Sequence, residues 1–582
     1  MSVDQAVHPL GTRANVLLAS VFGPYAQDDS FGSRRINPME LYQNQVTRVQ
    51  GAFSIRMFHR SFGLMLLQAN IDAPCTILDF PILDRFIDEI RNHSYDIVGI
   101  SAIIPNVGKV KKMCELIRKY RPNVTIVVGG HVTNKSDIER IIDADYIVRG
   151  DGVRWFRKFL GQKEDAPVRH PLAYSAFWTK VMGQVLEDKP METAAILIPS
   201  AGCPVGCNFC STSALFGGKG KFVNFYETGD ELFKVMVRME EKLKVRSFFI
   251  MDENFLLHRK RALRLLELME QRNKSWGLMV FSSARVLKSY SIEQLMKLGI
   301  SWVWMGIEGQ DSRYRKLRDI DTFELVKDMQ SHGIRVLGSS IIGMENHTPE
   351  NIDRIIDYAV GHDTDFHQFM LYTANPGTPL YAEHMAAGTL LPESKLPAAD
   401  SHGQYRFNFQ HSHIRNGEEE EFLLDAFRRD FEVNGPSLAR MIRTLLKGWL
   451  RYKNHPDKRI RKRFEWEIAP VRTTYSFAVW AMRRWYKNDK RIYKKLDSLL
   501  TDIYAEFGLK TRVFTPVAGL YIYFCLLREN RQLANGRSYE PRTFYEKNPA
   551  ALAIENHKKS AVRSTDPAFE WTAPKPASLP GR

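Results

Sequence analysis

Three cysteines within eight residues are the part of this sequence best suited to chemistry. They lie at Cys203, Cys207 and Cys210, in a stretch that also contains proline and glycine. Thiolates are soft ligands that favour iron–sulfur clusters, zinc or copper(I). Structural zinc and an ordinary [4Fe–4S] cluster both need a fourth ligand, and the next histidine along the chain is His258. The spacing favours a [4Fe–4S] cluster with one iron open to a small ligand. Zinc with a distant histidine, or a chance grouping, is the alternative.

Periodic apolar residues place this cysteine loop directly after a strand. Between residues 193 and 385 the sequence alternates short apolar runs with amphipathic stretches, which gives six strand–helix units. Six units are too few for an eight-stranded barrel but suit a partial (β/α)6 barrel. In such a barrel the active site lies at the carboxyl ends of the strands, and the cysteine loop falls at that end.

Residues 1–160 show the same alternation over five apolar runs. Because these runs are apolar throughout, they predict a parallel sheet covered on both faces, in a flavodoxin-like doubly wound domain. Glycines follow the fourth and fifth runs, at Gly129, Gly130 and Gly150. Doubly wound sheets bind ligands at this carboxyl edge, and glycine there lets the backbone approach a bulky cofactor.

The predicted fold class is therefore α/β, with a doubly wound domain, a partial barrel and a mainly α C-terminal region. The predicted boundaries are 1–160 for the first domain, 161–192 for a linker, 193–385 for the barrel core, 386–557 for a helical basic region and 558–582 for a disordered, proline-rich tail.

In this context the cysteine motif resembles the signature of the radical S-adenosylmethionine (SAM) enzymes, over residues 70–380. The resemblance implies that the amino and carboxylate groups of SAM bind the open iron. One electron from the cluster then cleaves SAM to methionine and a 5′-deoxyadenosyl radical, which abstracts hydrogen from an unactivated C–H bond. It also implies a reductant such as flavodoxin or ferredoxin. No catalytic acid, base or radical relay residue is assigned.

Four further strand ends resemble segments that lie near SAM in this family. The resemblance implies a site near SAM and substrate at the second strand, a SAM carboxylate site at the third, a ribose contact at the fourth and an adenine contact at the fifth. The residues concerned are Asp252 at the second strand, Ser283 and Arg285 at the third, Glu308 at the fourth, and Ser339 and Ile341 at the fifth. After the fifth strand the chain departs from the family's Pro-Gly-Glu-Thr pattern, because residues 345–348 read Glu-Asn-His-Thr.

A flavodoxin-like domain before such a barrel resembles the cobalamin (B12)-binding branch of the family. Gly129, Gly130 and Gly150 look like the loops that approach the corrin. Residues 23–29, after the first strand, lack the histidine that some members donate to cobalt. The resemblance implies cobalamin without that ligand. The alternative is a domain that kept the fold and lost the cofactor.

Charge and apolar patterning suggest where the substrate comes from. The 582 residues carry a net charge of +16, and residues 441–500 alone hold 17 Lys or Arg against 5 Asp or Glu. Two amphipathic stretches in this region contain Trp449, Trp480 and Trp485, and basic amphipathic helices with tryptophan are typical of anionic membrane surfaces. The alternative is that these faces pack on the barrel. Nucleic acid is disfavoured, since no second cysteine group or RNA-binding module is present.

These features predict a cytoplasmic enzyme that makes peripheral contact with the inner face of a membrane. The six cysteines form no disulfide framework, the N-terminus lacks a signal-like apolar region, and the apolar stretch 513–527 is too short to span a bilayer. The predicted reaction modifies an unactivated carbon of a small or lipid-like hydrophobic substrate, with C-methylation through cobalamin as one outcome. The alternatives are radical coupling, cyclisation or oxidation without methyl transfer, RNA modification, or a non-enzymatic cluster scaffold.

Overall fold

The computed structural model describes residues 7–23, 31–33, 40–174, 177–186, 193–309, 314, 317, 320–537 and 543–555. The predicted disordered tail, 558–582, lies outside the described residues. Most of the loop after the first strand, whose sequence has no histidine for cobalt, also lies outside them.

The first part of the chain alternates strands and helices as its apolar runs predict. Its elements are β1 (Val16–Ala19), β2 (Arg56–Phe58), α1 (Phe62–Asn70), β3 (Cys75–Asp79), α2 (Leu83–Asn92), β4 (Ile97–Ser101), α3 (Val107–Tyr120), β5 (Thr125–Gly129), α4 (Ile138–Ile141), β6 (Tyr146–Ile147) and α5 (Gly152–Phe159).

Five of these strands form a parallel sheet in the order β3-β1-β4-β5-β6. This is the doubly wound, flavodoxin-like topology, so the predicted fold of this region is confirmed. Val16 pairs with Cys75 on one side and with Ile97 on the other, and all three are fully buried because helices cover both faces. The apolar spacing of residues 55–68 predicts a helix, but residues 56–58 form the edge strand β2 and the helix begins only at Phe62.

The predicted linker contains a hairpin formed by β7 (Phe177–Val181) and β8 (Gln184–Val185). Strand β7 also pairs antiparallel with β2, which makes a small three-stranded sheet. The segment between the two main sheets is therefore structured where it is described.

The barrel region follows with six long strands and their helices. Its elements are β9 (Ala194–Leu197), β10 (Ser200–Ala201), α6 (Ser211–Leu215), β11 (Val223–Asn224), α7 (Gly229–Leu243), β12 (Ser247–Ile250), α8 (Arg259–Gln271), β13 (Gly277–Ser282), α9 (Ala284–Leu287), α10 (Ile292–Lys297), β14 (Ile300–Gly306), α11 (Thr322–Ser331), β15 (Arg335–Ile342), α12 (Ile352–Gly361), β16 (Phe366–Leu371) and α13 (Pro379–Ala386).

The barrel sheet is parallel, and its strands follow chain order from β9 through β12, β13, β14 and β15 to β16. This confirms the predicted partial barrel. Alternate strand residues point away from the covering helices into its interior. There the rings of Phe249 and Phe281 stack 5.7 Å apart and those of Phe281 and Trp304 5.1 Å apart. Phe249 shares one apolar core with Phe58 and Phe62, so the first domain packs against this interior.

The C-terminal region is mainly helical. It contains α14 (Glu418–Asn434), α15 (Ser437–Tyr452), α16 (Lys458–Ile468), α17 (Thr474–Trp485), α18 (Lys490–Ala534) and the short strand β17 (Phe544–Lys547). Helix α18 is interrupted at Gly508, whose φ is +74°. Strand β17 pairs antiparallel with β3 and so extends the first sheet, a pairing that the sequence analysis missed.

The apolar faces predicted to meet a membrane pack inside the protein instead. Leu438, Ile442 and Leu445 of α15 are buried in the barrel core, and Trp449 is 9% exposed. Trp480 and Trp485 of α17 are half-buried against the same core. The prediction that these faces contact lipid is therefore wrong, because burial against α11, β15 and α18 already removes them from water. Within the described residues, no helix is long and apolar enough to cross a bilayer.

Candidate functional site

The cysteine loop is held in one conformation by its own hydrogen bonds. The Cys210 amide donates to the Cys207 carbonyl at 3.1 Å, and the Ser213 hydroxyl donates to the Cys203 carbonyl at 3.1 Å. Gly206 has a φ of +66°, and a Cβ there would lie 2.5 Å from the Lys219 Cα, so this turn accepts only glycine. The loop therefore presents its three half-buried thiols at the start of α6.

The electrostatics of this loop fit a cationic cluster. The pKa of Cys203 is raised to about 11, chiefly by burial and to a smaller extent by the charges of the nearby Cys210 and Cys207 thiolates. Three thiolates this close repel one another, and binding iron would relieve that repulsion. A [4Fe–4S] cluster presents a separate iron to each thiolate, whereas a structural zinc site needs a fourth ligand on its one ion, so three cysteines in one loop suit such a cluster.

Asp252, at the end of β12, is bound by residues of the chain itself. Its carboxylate accepts hydrogen bonds from the Ser200 hydroxyl and the Arg261 guanidinium, both at 2.6 Å, and from the Asn254 amide at 3.1 Å. The side chains of Asp252 and Arg261 are only 2% and 1% exposed. These contacts give Asp252 a structural role beneath the site, and its predicted cofactor contact stays a prediction.

Glu253, the next residue, carries the carboxyl that lies within electrostatic reach of the thiols. Its ionised form would raise the pKa of Cys203, and the Gly202 amide donates to its carboxyl. Burial raises the pKa of Glu253 from 4.5 to about 7, and its Oε2 atom is buried with no hydrogen-bond partner. The residue predicted at this strand end was its neighbour Asp252. The signal for Glu253 was present, since two adjacent carboxyls end this strand.

The other predicted SAM contacts lie along the carboxyl edge of the barrel sheet. Glu308 is 4% exposed, has a φ of +55°, and its amide donates to the Ser339 carbonyl at 3.1 Å. A residue other than glycine with a positive φ has a strained backbone, and such residues cluster at functional sites. The Ser339 hydroxyl donates to Gln368 Oε1 at 2.8 Å, and Ile341 is buried. The structure thus brings the fourth and fifth strand ends together.

The two residues predicted at the third strand end differ in their exposure to solvent. Ser283 is buried and begins α9, whereas the Arg285 side chain on that helix is exposed. After the fifth strand, where the family pattern is broken, His347 Nδ1 accepts a hydrogen bond from the Gly343 amide at 3.0 Å. The divergent sequence therefore still closes a tight loop at this edge.

A polar network beside the cluster loop was missed by the sequence analysis. The Asn208 amide donates to the Tyr372 hydroxyl at 3.1 Å, and the Tyr314 hydroxyl donates to Asn208 Oδ1 at 3.1 Å. The Phe209 ring lies edge-on to both tyrosine rings. Asn208 and Phe209 lie between Cys207 and Cys210, so the network connects the cluster loop to the end of β16. Asn208 lay within the motif already identified, but nothing local pointed to the two tyrosines.

The first domain presents a different kind of surface at its carboxyl edge. Gly129, Gly130 and Gly150 follow β5 and β6 and are half-buried. Gly130 has a φ of +83°, and a Cβ there would lie 2.7 Å from the Ala102 carbonyl oxygen. At these three positions the edge is formed by backbone, because glycine carries no side chain. It therefore fits a broad, flat ligand such as a corrin.

The two carboxyl edges meet at the cluster loop. His131 Nε2 hydrogen-bonds the Thr212 hydroxyl at 3.2 Å, and the Asn134 amide donates to the Ser211 carbonyl at 3.2 Å. Gly377, beyond β16, also packs against Asn134. The loop after β5, the start of α6 and the loop after β16 therefore converge, and His131 serves as a loop hydrogen-bonder.

Two family models match the chain over these regions. The B12 binding domain model matches residues 53–160, and the Radical SAM superfamily model matches residues 197–359. The fold and the cysteine loop together define a radical SAM enzyme. The chain therefore carries a B12-binding domain before a radical SAM domain. The predicted [4Fe–4S] cluster, SAM and cobalamin are confirmed at the level of these domains.

Several known proteins are similar to this chain over part of its length. The uncharacterized methyltransferase PH0819 of Pyrococcus horikoshii is 26% identical, over 52% of this chain and 72% of that protein. The bacteriochlorophyllide d C-8(2)-methyltransferase of Chlorobaculum tepidum is 22% identical, over 58% of this chain and 78% of its own. The hopanoid C-2 methylase of Rhodopseudomonas palustris is 27% identical, over 33% of this chain and 38% of that enzyme.

Proposed function

We propose that this enzyme transfers a methyl group to an unactivated carbon through cobalamin. The observation that carries the proposal is the contact of the loop after β5 with the start of α6, through His131–Thr212 and Asn134–Ser211. This contact sets the glycine edge of the B12-binding domain beside the cysteine loop. When bound, the cluster supplies the electron that cleaves SAM, and cobalamin carries a methyl group.

The chain's own residues have distinct parts in this proposal. Cys203, Cys207 and Cys210 bind the cluster, and the edge around Glu308 and Ser339 orients SAM. The stacked aromatic rings fill the barrel interior and exclude water from it. This protects a reactive radical from side reactions. The Asn208 network holds the cluster loop against the end of β16 and so fixes the position of the cluster relative to the carboxyl edge of the barrel.

We further propose that the substrate is hydrophobic and reached at the inner face of a membrane, and that a flavodoxin- or ferredoxin-like protein supplies the electron. Two relatives carry names of hydrophobic substrates, a hopanoid and a bacteriochlorophyllide. The aromatic interior of the barrel also suits an apolar substrate. Cytoplasmic localisation is part of the same proposal.

The test is anaerobic reconstitution with iron, sulfide and hydroxocobalamin, followed by gel filtration and incubation with methyl-labelled SAM and dithionite. We expect retained corrinoid, formation of methylcobalamin, and label in the organic phase when a lipid extract is added. A protein that forms 5′-deoxyadenosine but retains no corrinoid overturns methyl transfer through cobalamin. It would favour coupling, cyclisation or oxidation instead.

A further inference from the structure

The second half of α18 exposes a continuous apolar surface, which we call the outer face. Its members lie on one side of the helix over about four turns, roughly 24 Å. All are between 40% and 76% exposed: Leu509, Val513, Phe514, Val517, Leu520, Tyr521 and Phe524. A surface helix usually turns its polar residues to water, so an outward apolar surface of this length indicates a binding partner.

The opposite side of this segment is fixed to the protein. Thr515 hydrogen-bonds Ser476 of α17 at 3.0 Å, and Gly519 packs closely on the Trp480 ring. Glu529 pairs with Lys180 of the β7–β8 hairpin at 2.6 Å, and Ile522 and Leu526 lie in the barrel core. Because this side is anchored, the helix cannot roll to bury its outer face.

The charged residues along this segment of α18 have one sign. Between Glu506 and Glu529 the sequence contains no acidic residue, whereas Lys510, Arg512 and Arg528 are all exposed there. Cations that border an apolar strip complement an anionic lipid surface. A second copy of the chain fits less well, since a two-fold contact through this face would bring like charges together.

A groove of about 360 Å³ opens beside the outer face, between α17 and α18. Phe477, Phe514 and Val517 contribute apolar walls, and Arg472 and Lys510 contribute cationic groups to its lining. An apolar groove bordered by cations has the chemistry to accept an acyl chain whose headgroup carries negative charge.

We propose that the outer face of α18 lies in the plane of an anionic membrane and holds the enzyme there. The inference rests on the proposed function only for the choice of a hydrophobic substrate. It also moves the membrane contact from residues 436–500, whose apolar faces are packed, to residues 509–528. The helix lies on the bilayer and does not cross it, in agreement with the absence of a spanning helix among the described residues.

Vesicle flotation of the reconstituted full-length protein tests this directly. We expect the protein to float with vesicles of phosphatidylcholine mixed with phosphatidylglycerol, weakly with phosphatidylcholine alone, and less at high salt. The double variant Val517→Ser/Phe524→Ser should lower the partition coefficient about tenfold or more, because it removes inserted apolar area. The variant Lys510→Gln/Arg528→Gln should lower it by on the order of tenfold, on anionic vesicles alone.

The matched control is Leu552→Ser/Ile554→Ser, which removes two other exposed apolar side chains, 46% and 41% exposed, outside α18. It should float like the unmodified protein, and iron content should be equal in all variants. Equal flotation of the outer-face variant and the unmodified protein overturns the proposal, as does flotation with neither vesicle. Sedimentation showing a dimer that the outer-face variant converts to monomer assigns the face to a second copy. Methyl transfer without flotation rejects this inference alone, and flotation without methyl transfer rejects the proposed function alone.

Discussion

The carboxyl edge of the first sheet is built from backbone, whereas that of the barrel sheet is built from side chains. Gly129 and Gly150 put no side chain on the first edge, and a Cβ at either would have only one backbone oxygen near it, at 3.8 Å. The second edge carries three thiols and the buried carboxyls of Asp252, Glu253 and Glu308. Both edges are formed by parallel strands of an α/β sheet, and the two edges meet at the cluster loop.

This difference indicates how each domain holds its cofactor. A cluster and a small charged ligand such as SAM need specific donor atoms, so the barrel edge loses function when a side chain is removed. A corrin offers a broad surface, so the first edge loses function when a side chain is added.

Replacing any one of Cys203, Cys207 or Cys210 by alanine should abolish the [4Fe–4S] cluster, because two thiolates cannot hold the cubane. Iron and sulfide content and the visible absorption spectrum of the reconstituted protein measure this. Alanine at Cys75, Cys114 or Cys525 should leave the cluster in place. Loss of iron in Cys114→Ala together with its retention in Cys207→Ala would falsify the assignment.

Asp252→Asn should lower the free energy of unfolding by about 3–5 kcal/mol, because it leaves the buried Arg261 guanidinium without its counter-charge. Denaturant unfolding of the protein without cofactors measures the change. Asp230→Asn is the matched control, since Asp230 pairs with Arg264 at a largely exposed position and should leave the midpoint nearly unchanged. If Asp252→Asn keeps full stability but binds SAM poorly, Asp252 belongs to the ligand-binding side chains after all.

Gly129→Ala should weaken hydroxocobalamin binding by about tenfold, a loss of about 1.4 kcal/mol. A Cβ at this position would have only the Val148 carbonyl oxygen near it, at 3.8 Å, so the fold should survive. The added methyl group would, however, stand on the surface that the corrin approaches. Gly63→Ala in α1 is the control, since a Cβ there meets nothing within 4 Å. Equal corrinoid affinity in the two variants would contradict the proposal that the corrin approaches the backbone at Gly129.

Glu308→Gln should raise the KM for SAM a few-fold, by about 1 kcal/mol. The glutamine keeps the shape and one acceptor but loses the charge that strengthens a hydrogen bond to a ribose hydroxyl. Formation of 5′-deoxyadenosine against SAM concentration measures the effect. The exposed Glu350→Gln serves as control. An unchanged KM would remove Glu308 from the SAM contacts.

Much of the fold and the core of the site were predictable because they rest on local patterns. Continuous apolar runs predict buried parallel strands, and both sheets have the predicted topology. The cysteine motif is contiguous in sequence, so its members lie in one loop whatever the rest of the chain does. The domain boundaries and the residue-level SAM contacts stay predictions.

Contacts between segments that are distant along the chain could not be predicted from the sequence. Asp252 and Glu253 are adjacent carboxyls at one strand end, and only the position of Arg261 decides that the first is paired and the second faces the thiols. Tyr314 and Tyr372 reach Asn208 from two separate strand ends. Strand β17 pairs with β3 across more than four hundred residues, and no local pattern marks that pairing.

The helices of the C-terminal region show where this limit comes from. The sequence alone indicates that α15 has an apolar face and that residues 513–527 are mostly apolar, since periodicity and composition are properties of the single chain. It could not determine what covers each face, because the hydrophobic effect has no direction and rewards burial against any apolar neighbour. Tertiary packing decided that α15 turns its face into the barrel core and that α18 leaves Val517 and Phe524 open to the outside.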